Sequence, residues 1–345
     1  MKTFYFGISL DTITKIFHAI TLWFNQHKRE LPWRNIEDPY LVMVSEVMLQ
    51  QTQVDVVIPY FLRWKERFPT IEDLAKAPID EVFNLFAGLG YYSRAKGLHD
   101  AAKECVLKHE GKIPSEKKDL LALKGIGPYT ASAILNFGFK KKAAAVDGNV
   151  LRVISRLLGS KEPIDKGSTR IKFESLIEEH LTDQNSPIVT EGLIEFGALI
   201  CKKKPECQRC PIRQYCLAYQ KQEVHLIPVK SKKMVQKKLL QTIYIYQYET
   251  SFYLTQKKEG EWNAGLYEFP NMSVDSIEVH PEEIDLKPFK TSITCHDITI
   301  CPKLVKVIDP KDKIFYSTEE IEKLSLSSAH KKLAFMLKKR IEKMD

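Results

Sequence analysis

Leu123-Lys124-Gly125-Ile126-Gly127-Pro128-Tyr129-Thr130-Ala131 decides the fold: a helix end, a Gly-x-Gly turn, then a second helix opened by proline. Glycine accepts positive φ and lets backbone approach a ligand closely. Proline is pre-organised for the first position of a helix. The N–H groups at the start of that second helix face outward and can take one phosphate. This pattern is a helix-hairpin-helix, a grip on a DNA backbone that carries no sequence information. A bare tight turn between two helices uses the same residues, so Gly125 and Gly127 are candidates for DNA contact and no more at this point.

Working outward, Val146-Asp147-Gly148-Asn149-Val150 follows closely and sets Asp147 on a turn just before another helix. An N-cap role for Asp147 is compatible with a chemical one. Upstream, Asp38-Pro39 supplies a cap and a helical first position, opening a helix through Val42, Val44, Val47 and Met48. Gln50-Gln51-Thr52-Gln53 breaks the apolar pattern as a polar turn. A second helix runs through Val56, Val57, Tyr60, Phe61 and Trp64, kinked at Pro59 and stopped by Pro69. Further helices are predicted over Leu74–Leu85, Ala95–His109, Leu120–Leu123, Tyr129–Phe139, Asn149–Leu158 and Thr169–Leu181. With no strand alternation and no fixed repeat, this part is all-α.

The texture changes after a basic, poorly patterned stretch over 220–238. Leu240–Tyr248, Phe252–Thr255, Ile293–Ile300 and Leu304–Ile308 read as strands. Ser328–Lys343 closes the chain as an amphipathic helix with Leu333, Met336, Leu337 and Ile341 on one face. The expected fold class is therefore mainly α, with a small α+β domain at the C-terminus. The expected division is a helical catalytic region over 1–220, a linker over 221–239 and the small domain over 240–345. Within the first, a hairpin lobe spans 31–142, and the N-terminal helix joins 143–220 in a second lobe.

A chain of 345 residues accommodates two or three domains, and its 44% hydrophobic share can bury a core. No stretch reaches the roughly 18 consecutive apolar residues of a membrane span. Met1–Leu10 lacks a cleavage site and reads as the start of a folded helical region, so a cytoplasmic protein without membrane partners is expected. The net charge of +8 suits a polyanion, and it is concentrated at Lys202, Lys203, Lys204, Arg209 and Arg213 and again at Lys230, Lys232, Lys233, Lys237 and Lys238.

Four of the seven cysteines, Cys201, Cys207, Cys210 and Cys216, follow the spacing C-x5-C-x2-C-x5-C. Four thiolates in one loop can wrap a [4Fe–4S] cluster or a single zinc. Zinc sites more often pair two close C-x-x-C units and only one is present, which leans toward iron–sulfur.

Leu31-Pro32-Trp33-Arg34, then Ser45-Glu46-Val47-Met48-Leu49-Gln50-Gln51-Thr52-Gln53, then Gly88-Leu89-Gly90-Tyr91-Tyr92-Ser93-Arg94 resemble successive signatures of the MutY family of adenine glycosylases. The hairpin, Val146–Val150, Glu195–Ala198 and the cysteine loop follow in the family's order, and Trp262–Pro270 extends the likeness into the tail. The resemblance implies a helix-hairpin-helix glycosylase with one [4Fe–4S] cluster per chain and a Nudix-like C-terminal domain. The resemblance further implies a monomer whose partner is duplex DNA bearing adenine opposite 8-oxoguanine or guanine.

Breaking an N-glycosidic bond asks for an acid at the leaving base and a carboxylate beside the cationic sugar. The resemblance makes Glu46 the acid and Asp147 the stabilising or nucleophilic carboxylate, with Tyr129 and Asn149 in support. Glu46 lies among Val44, Val47, Met48 and Leu49, a setting that raises a carboxyl pKa. Trp33, Arg34, Leu49 and Glu191 match the adenine pocket; Gln51, Thr52, Leu89 and Tyr91 match the wedge and the readers of the opposite base. Endonuclease III-like relatives place a lysine where Tyr129 stands, and that amine forms a Schiff base that cuts the strand. Tyr129 therefore implies a monofunctional enzyme.

Two departures stand out. Lys202–Glu206 makes the first cysteine gap one residue shorter than the family's. The family's Phe-Ser-His reading loop falls on Ile293-Thr294-Cys295, with His296 one place late. The competing readings are an endonuclease III-like glycosylase for oxidised pyrimidines and a non-catalytic, cluster-bearing DNA-binding protein. Cys105, Cys295 and Cys301 have no evident pairing.

Overall fold

A computed structural model describes residues 4–5, 8–231, 235–261, 263–274, 277–293 and 295–342; Lys232, Lys233, Trp262, Thr294 and Lys343, singled out above, lie outside that set. The chain folds as two compact units, Met1–Ala75 with Asp100–Lys233 and Lys76–His99 with Met234–Asp345.

In chain order, a short antiparallel pair, β1 (Phe4–Tyr5) and β2 (Ile8–Ser9), precedes α1 (Leu10–His27), so the helix expected over the first residues begins only at Leu10. Ser9 caps it, its hydroxyl accepting from Thr12 N at 3.3 Å. Next come α2 (Pro39–Leu49), α3 (Val54–Arg67), α4 (Ile71–Lys76) and α5 (Ile79–Phe86). The single helix expected over Leu74–Leu85 is thus two, because Pro78 restricts the residue before it and supplies no N–H. Then follow α6 (Ser93–Lys108), α7 (Lys117–Ala122), α8 (Pro128–Ala133), α9 (Gly148–Leu157), α10 (Gly167–Glu178), α11 (Ser186–Leu199) and the one-turn α12 (Leu217–Gln220).

Two packing arrangements in the first unit bear on the site. One core joins Ile16, Ile20 and Phe24 of α1 to Val150, Val153 and Ile154 of α9 and to Leu193 and Phe196 of α11. α11 was not anticipated, because it is apolar around most of its circumference and offers no amphipathic stripe. The other centres on α2, buried from Tyr40 to Met48. Asp38 caps it, its carboxylate accepting from Tyr40 N at 2.9 Å. After α8 the helix widens into a π turn over Ile134–Gly138. There a Cβ on Gly138 would stand 2.8 Å from Pro39 Cα, so glycine alone lets α2 lie this close to the hairpin's second helix.

The second unit holds the remaining strands: β3 (Lys237–Tyr248), β4 (Ser251–Tyr253), β5 (Thr255–Gln256), β6 (Tyr267–Glu268), β7 (Glu278–Asp285), β8 (Phe289–Ile293), β9 (His296–Asp309) and β10 (Phe315–Tyr316). Six form one sheet in the order β10-β4-β3-β9-β7, with β8 also on β9, while β5 and β6 pair separately. β3 and β9 run parallel from Lys237 opposite His296 to Gln247 opposite Lys306. The strand expected over Ile293–Ile300 instead crosses the β8–β9 turn, and Leu304–Ile308 belongs to the same strand as His296. Two helices follow, α13 (Thr318–Lys323) and α14 (Ser328–Ile341), and Leu333 and Leu337 pack on Ile243, Ile245, Ile298 and Ile300 of the sheet. The mainly helical first part and small α+β second part match the expected class. Among the described residues no helix is long and apolar enough to cross a membrane.

Candidate active site

A cavity of about 950 Å³ opens in the first unit, and Trp33, Arg34, Glu46, Leu49, Gln51, Thr52, Gly127, Tyr129, Asp147, Asn149 and Glu191 all line it. Residues more than 140 positions apart in the sequence are therefore gathered on one surface.

Glu46 sits in the last turns of α2 and is 7% exposed. Its Oε2 accepts from the Tyr129 hydroxyl at 2.7 Å. Burial pushes the Glu46 carboxyl up to about 7, against the stabilising Tyr129 hydrogen bond and with help from the nearby Asp147 and Glu191 charges. With Oε2 engaged as an acceptor, a proton on this carboxyl resides on Oε1. Burial also raises the Tyr129 phenol well above its ordinary value, so Tyr129 stays a neutral donor. Tyr129 reaches this position because Gly127 and Pro128 begin α8, preceded by Gly125 at φ +79°.

Asp147 is the N-cap of α9, and its Oδ1 accepts from Asn149 N and Val150 N, both at 2.8 Å. Its Oδ2 accepts from Asn149 Nδ2 at 2.8 Å. Burial raises this carboxyl, while those three donors and Arg152 favour its charged form. The capping role and a chemical role thus coexist at one side chain.

Two groups escaped the sequence reading. Arg152, three residues beyond Asn149 and so on the same helix face, donates from Nη2 to Asn149 Oδ1 and to Gly197 O, each at 2.8 Å, and from Nε to Cys201 O at 2.7 Å. A chain of hydrogen bonds therefore runs from Asp147 through Asn149 and Arg152 to the first cysteine. Gly197 permits it, because a Cβ there would meet Asn149 Cβ at 2.7 Å. The second group is Arg29 with Glu195. Glu195 is buried, which raises its carboxyl, yet hydrogen bonds from Arg29 Nε at 2.8 Å and Nη2 at 3.0 Å bring it below its ordinary value. Arg34 completes this network, donating to Glu191 at 3.3 Å, to Glu195 at 3.4 Å and to Arg29 O, its guanidinium 5.1 Å from the Phe24 ring centre. A signal existed in the acidic pair Glu191 and Glu195, one helical turn apart.

At the cavity edge Gln51 adopts φ +57° and is exposed, and Thr52 Oγ1 donates to Gln50 O at 3.3 Å. Leu89 and Tyr91 do not line this cavity and belong to the second unit. Their turn holds Gly88, Gly90 and Tyr91 at positive φ, with Leu89 buried and Tyr91 exposed.

Cys201, Cys207, Cys210 and Cys216 line one small cavity with Val153, Leu157, Phe196 and Ile212. None of the seven cysteines forms a disulfide, and among the described residues no three ligand side chains are gathered as a formed metal cage. Arg156 binds the loop's backbone, donating to Lys202 O at 2.6 Å and Lys203 O at 3.1 Å, reaches Cys201 Sγ at 3.4 Å, and ties in the later segment through Ile227 O at 2.8 Å. Four soft sulfur donors around one apolar-walled space fit an iron–sulfur group.

Chemically, an acid titrating near neutrality and a second carboxylate on one sheltered surface can protonate a leaving group and hold a cation. Comparison with known proteins adds the lineage. Residues 44–179 match the family described as HhH-GPD superfamily base excision DNA repair protein. An adenine DNA glycosylase of Buchnera aphidicola subsp. Baizongia pistaciae is 35% identical over 266 residues, covering 75% of this chain and 74% of its own. Among solved structures, a thermostable thymine-DNA glycosylase superposes with a TM-score of 0.56 at 29% identity, over 61% of this chain and 98% of that one. An endonuclease III in a non-covalent DNA complex, at 24% identity and a TM-score of 0.54, shares the fold over 61% of this chain and 97% of its own.

Proposed function

Since the chain belongs to the MutY family of adenine DNA glycosylases, base excision repair enzymes that remove adenine from DNA, we propose that Glu46 is the acid that protonates the departing adenine. The observation that carries this reading is the Tyr129–Glu46 hydrogen bond at 2.7 Å on a carboxyl that burial brings to about 7. Such an acid is half protonated at neutral pH, where proton transfer to a ring nitrogen is most effective. Asp147 supplies the counter-charge to the sugar cation, or attacks it to form a transient covalent intermediate; Asn149 and the α9 N–H groups hold it in place. Trp33, Arg34, Leu49 and Glu191 form the pocket for the extruded base.

Gln51, Thr52, Leu89 and Tyr91 fill the vacated gap and read the opposite base, which is guanine or 8-oxoguanine. A cavity of about 350 Å³ in the second unit supports this part, since Tyr91, Ser93, Thr291, Ser292 and Ser327 line it with hydroxyls beside the β8–β9 turn. The C-terminal sheet is thereby assigned the Nudix-like role of checking the opposite base. Gly125 and Gly127 present backbone N–H groups to a phosphate. The four cysteines hold a [4Fe–4S] cluster, which when bound ties the basic loop around Lys202–Arg213 into a fixed shape.

The test uses duplexes carrying adenine opposite 8-oxoguanine, guanine or cytosine, and an oxidised pyrimidine opposite guanine. Strand breaks confined to the first two duplexes, and arising only after alkali, are expected. Breaks without alkali would contradict the reading of Tyr129, and cleavage at the pyrimidine would favour the endonuclease III-like alternative.

A further inference from the structure

The Gly88–Arg94 turn is fastened twice within the second unit. From inside, Arg94 Nη2 donates to Leu89 O at 2.9 Å and to Gly90 O at 3.0 Å. The same guanidinium lies 5.1 Å from the Phe86 ring centre and 5.7 Å from that of Tyr91. From outside, the end of α13 and the short link to α14 grip the helix before the turn and Tyr92 within it. The Tyr92 hydroxyl donates to Leu326 O at 2.9 Å in a buried bond. Asn84 Nδ2 donates to Lys323 O at 3.1 Å, and the Ser325 hydroxyl lies 3.2 Å from Asp80 O. Ser325 is 1% exposed. Gly265, at φ +87°, lets the sheet's own loop reach Phe83, where a Cβ would stand 3.0 Å from the ring.

A turn with three consecutive-region residues at positive φ does not hold its shape by local preference when one of them is Tyr91. Something must over-determine it. Arg94 does part of this locally, and the other ties come from a segment more than 230 positions later in the chain, as the 234-residue separation of Tyr92 and Leu326 records.

We propose that Tyr92 and the Lys323–Leu326 link form a latch through which the C-terminal domain positions the Leu89–Tyr91 turn for entry into the base stack. Tyr92 and Ser325 are positioning residues, acting through the turn without touching the reacting atoms. The domain then contributes to extrusion of adenine opposite any base, plain guanine included, in addition to reading that base. This rests on the reading that the turn engages DNA.

The test uses the full chain and a duplex with 2-aminopurine or adenine opposite guanine. Tyr92→Phe keeps the ring and removes only the hydroxyl, and Ser325→Ala is a second, independent lesion. Each is expected to lower both the 2-aminopurine fluorescence gain and the single-turnover rate of adenine release by about two- to tenfold, the scale of one lost hydrogen bond. The pH midpoint of release, set in the other unit, stays in place. Wild-type fluorescence and rate in both variants would overturn the latch. Tyr91→Ala separates the two levels: if it leaves fluorescence unchanged, the reading of the turn as a wedge fails; if it lowers fluorescence while Tyr92→Phe does not, the latch alone fails.

Discussion

At the scale of single residues the decisive quantity is the proton affinity of Glu46. Its carboxyl titrates at about 7 in the folded chain, against an ordinary value of 4.5 that the unfolded chain restores. Between those values the folded state binds the extra proton, so stability falls as pH rises through that window and levels off above it. Replacing Glu46 by Gln keeps an acceptor for the Tyr129 hydroxyl and removes the titration. Glu46→Gln is therefore expected to be more stable than wild type at about pH 8, by on the order of 3 kcal/mol, with the gap closing toward pH 4.5. Calorimetric melting temperatures of both proteins across that range check it, and parallel curves would count against a raised Glu46. The apolar neighbours of Glu46 were visible in the sequence. The Tyr129 hydrogen bond was not, because it joins residues 83 positions apart and depends on how α8 meets α2.

At the scale of elements, caps and glycines carry the site. Asp38 and Asp147 were legible as helix starts because an acidic residue before Pro or Gly has a local mechanism. The pairing of α9 with α11 was not, since α11 shows no stripe and the purpose of Gly197, though it falls in the Glu195–Ala198 match, shows only once Asn149 lies against it. Gly197→Ala places a Cβ 2.7 Å from Asn149 Cβ, so Asn149 must move and release Asp147 Oδ2 and Arg152 together. Adenine release is expected to fall by about tenfold or more, while affinity for undamaged duplex, dominated by phosphate contacts, changes little. Single-turnover kinetics beside a binding titration distinguish this from general unfolding, which would lower both. In the tail, β7 eluded sequence reading because it is almost wholly exposed and polar, and the parallel β3–β9 pair did so because its register comes from side chains distant in the chain.

At the scale of the whole molecule, the sequence divides the chain where composition changes, whereas contacts gather Lys76–His99 with the C-terminal residues. No local pattern announces that grouping; Asn84 and Lys323, bonded at 3.1 Å, are 239 positions apart. The cysteine loop is the opposite case, since four thiols within sixteen positions declare themselves. Anaerobically purified protein is expected to be brown and to hold about four irons per chain. Cys207→Ser should give insoluble or weakly DNA-binding protein, because the loop bearing Lys202, Lys203, Lys204, Arg209 and Arg213 loses its anchor. Iron analysis and a salt-dependent binding titration test both, and stoichiometric zinc in place of iron would overturn the cluster.

In the proposed reaction a buried carboxyl on α2 gives its proton to adenine while Asp147 faces the sugar. Its most direct measurement is single-turnover adenine release from a duplex with adenine opposite guanine, for wild type and Glu46→Gln, from about pH 5 to about pH 9. The wild-type rate is expected to decline as pH rises past about 7, where Glu46 loses its proton. Glu46→Gln is expected to give no measurable release at any pH, with duplex affinity nearly intact. Release by Glu46→Gln at a rate near that of wild type would contradict it.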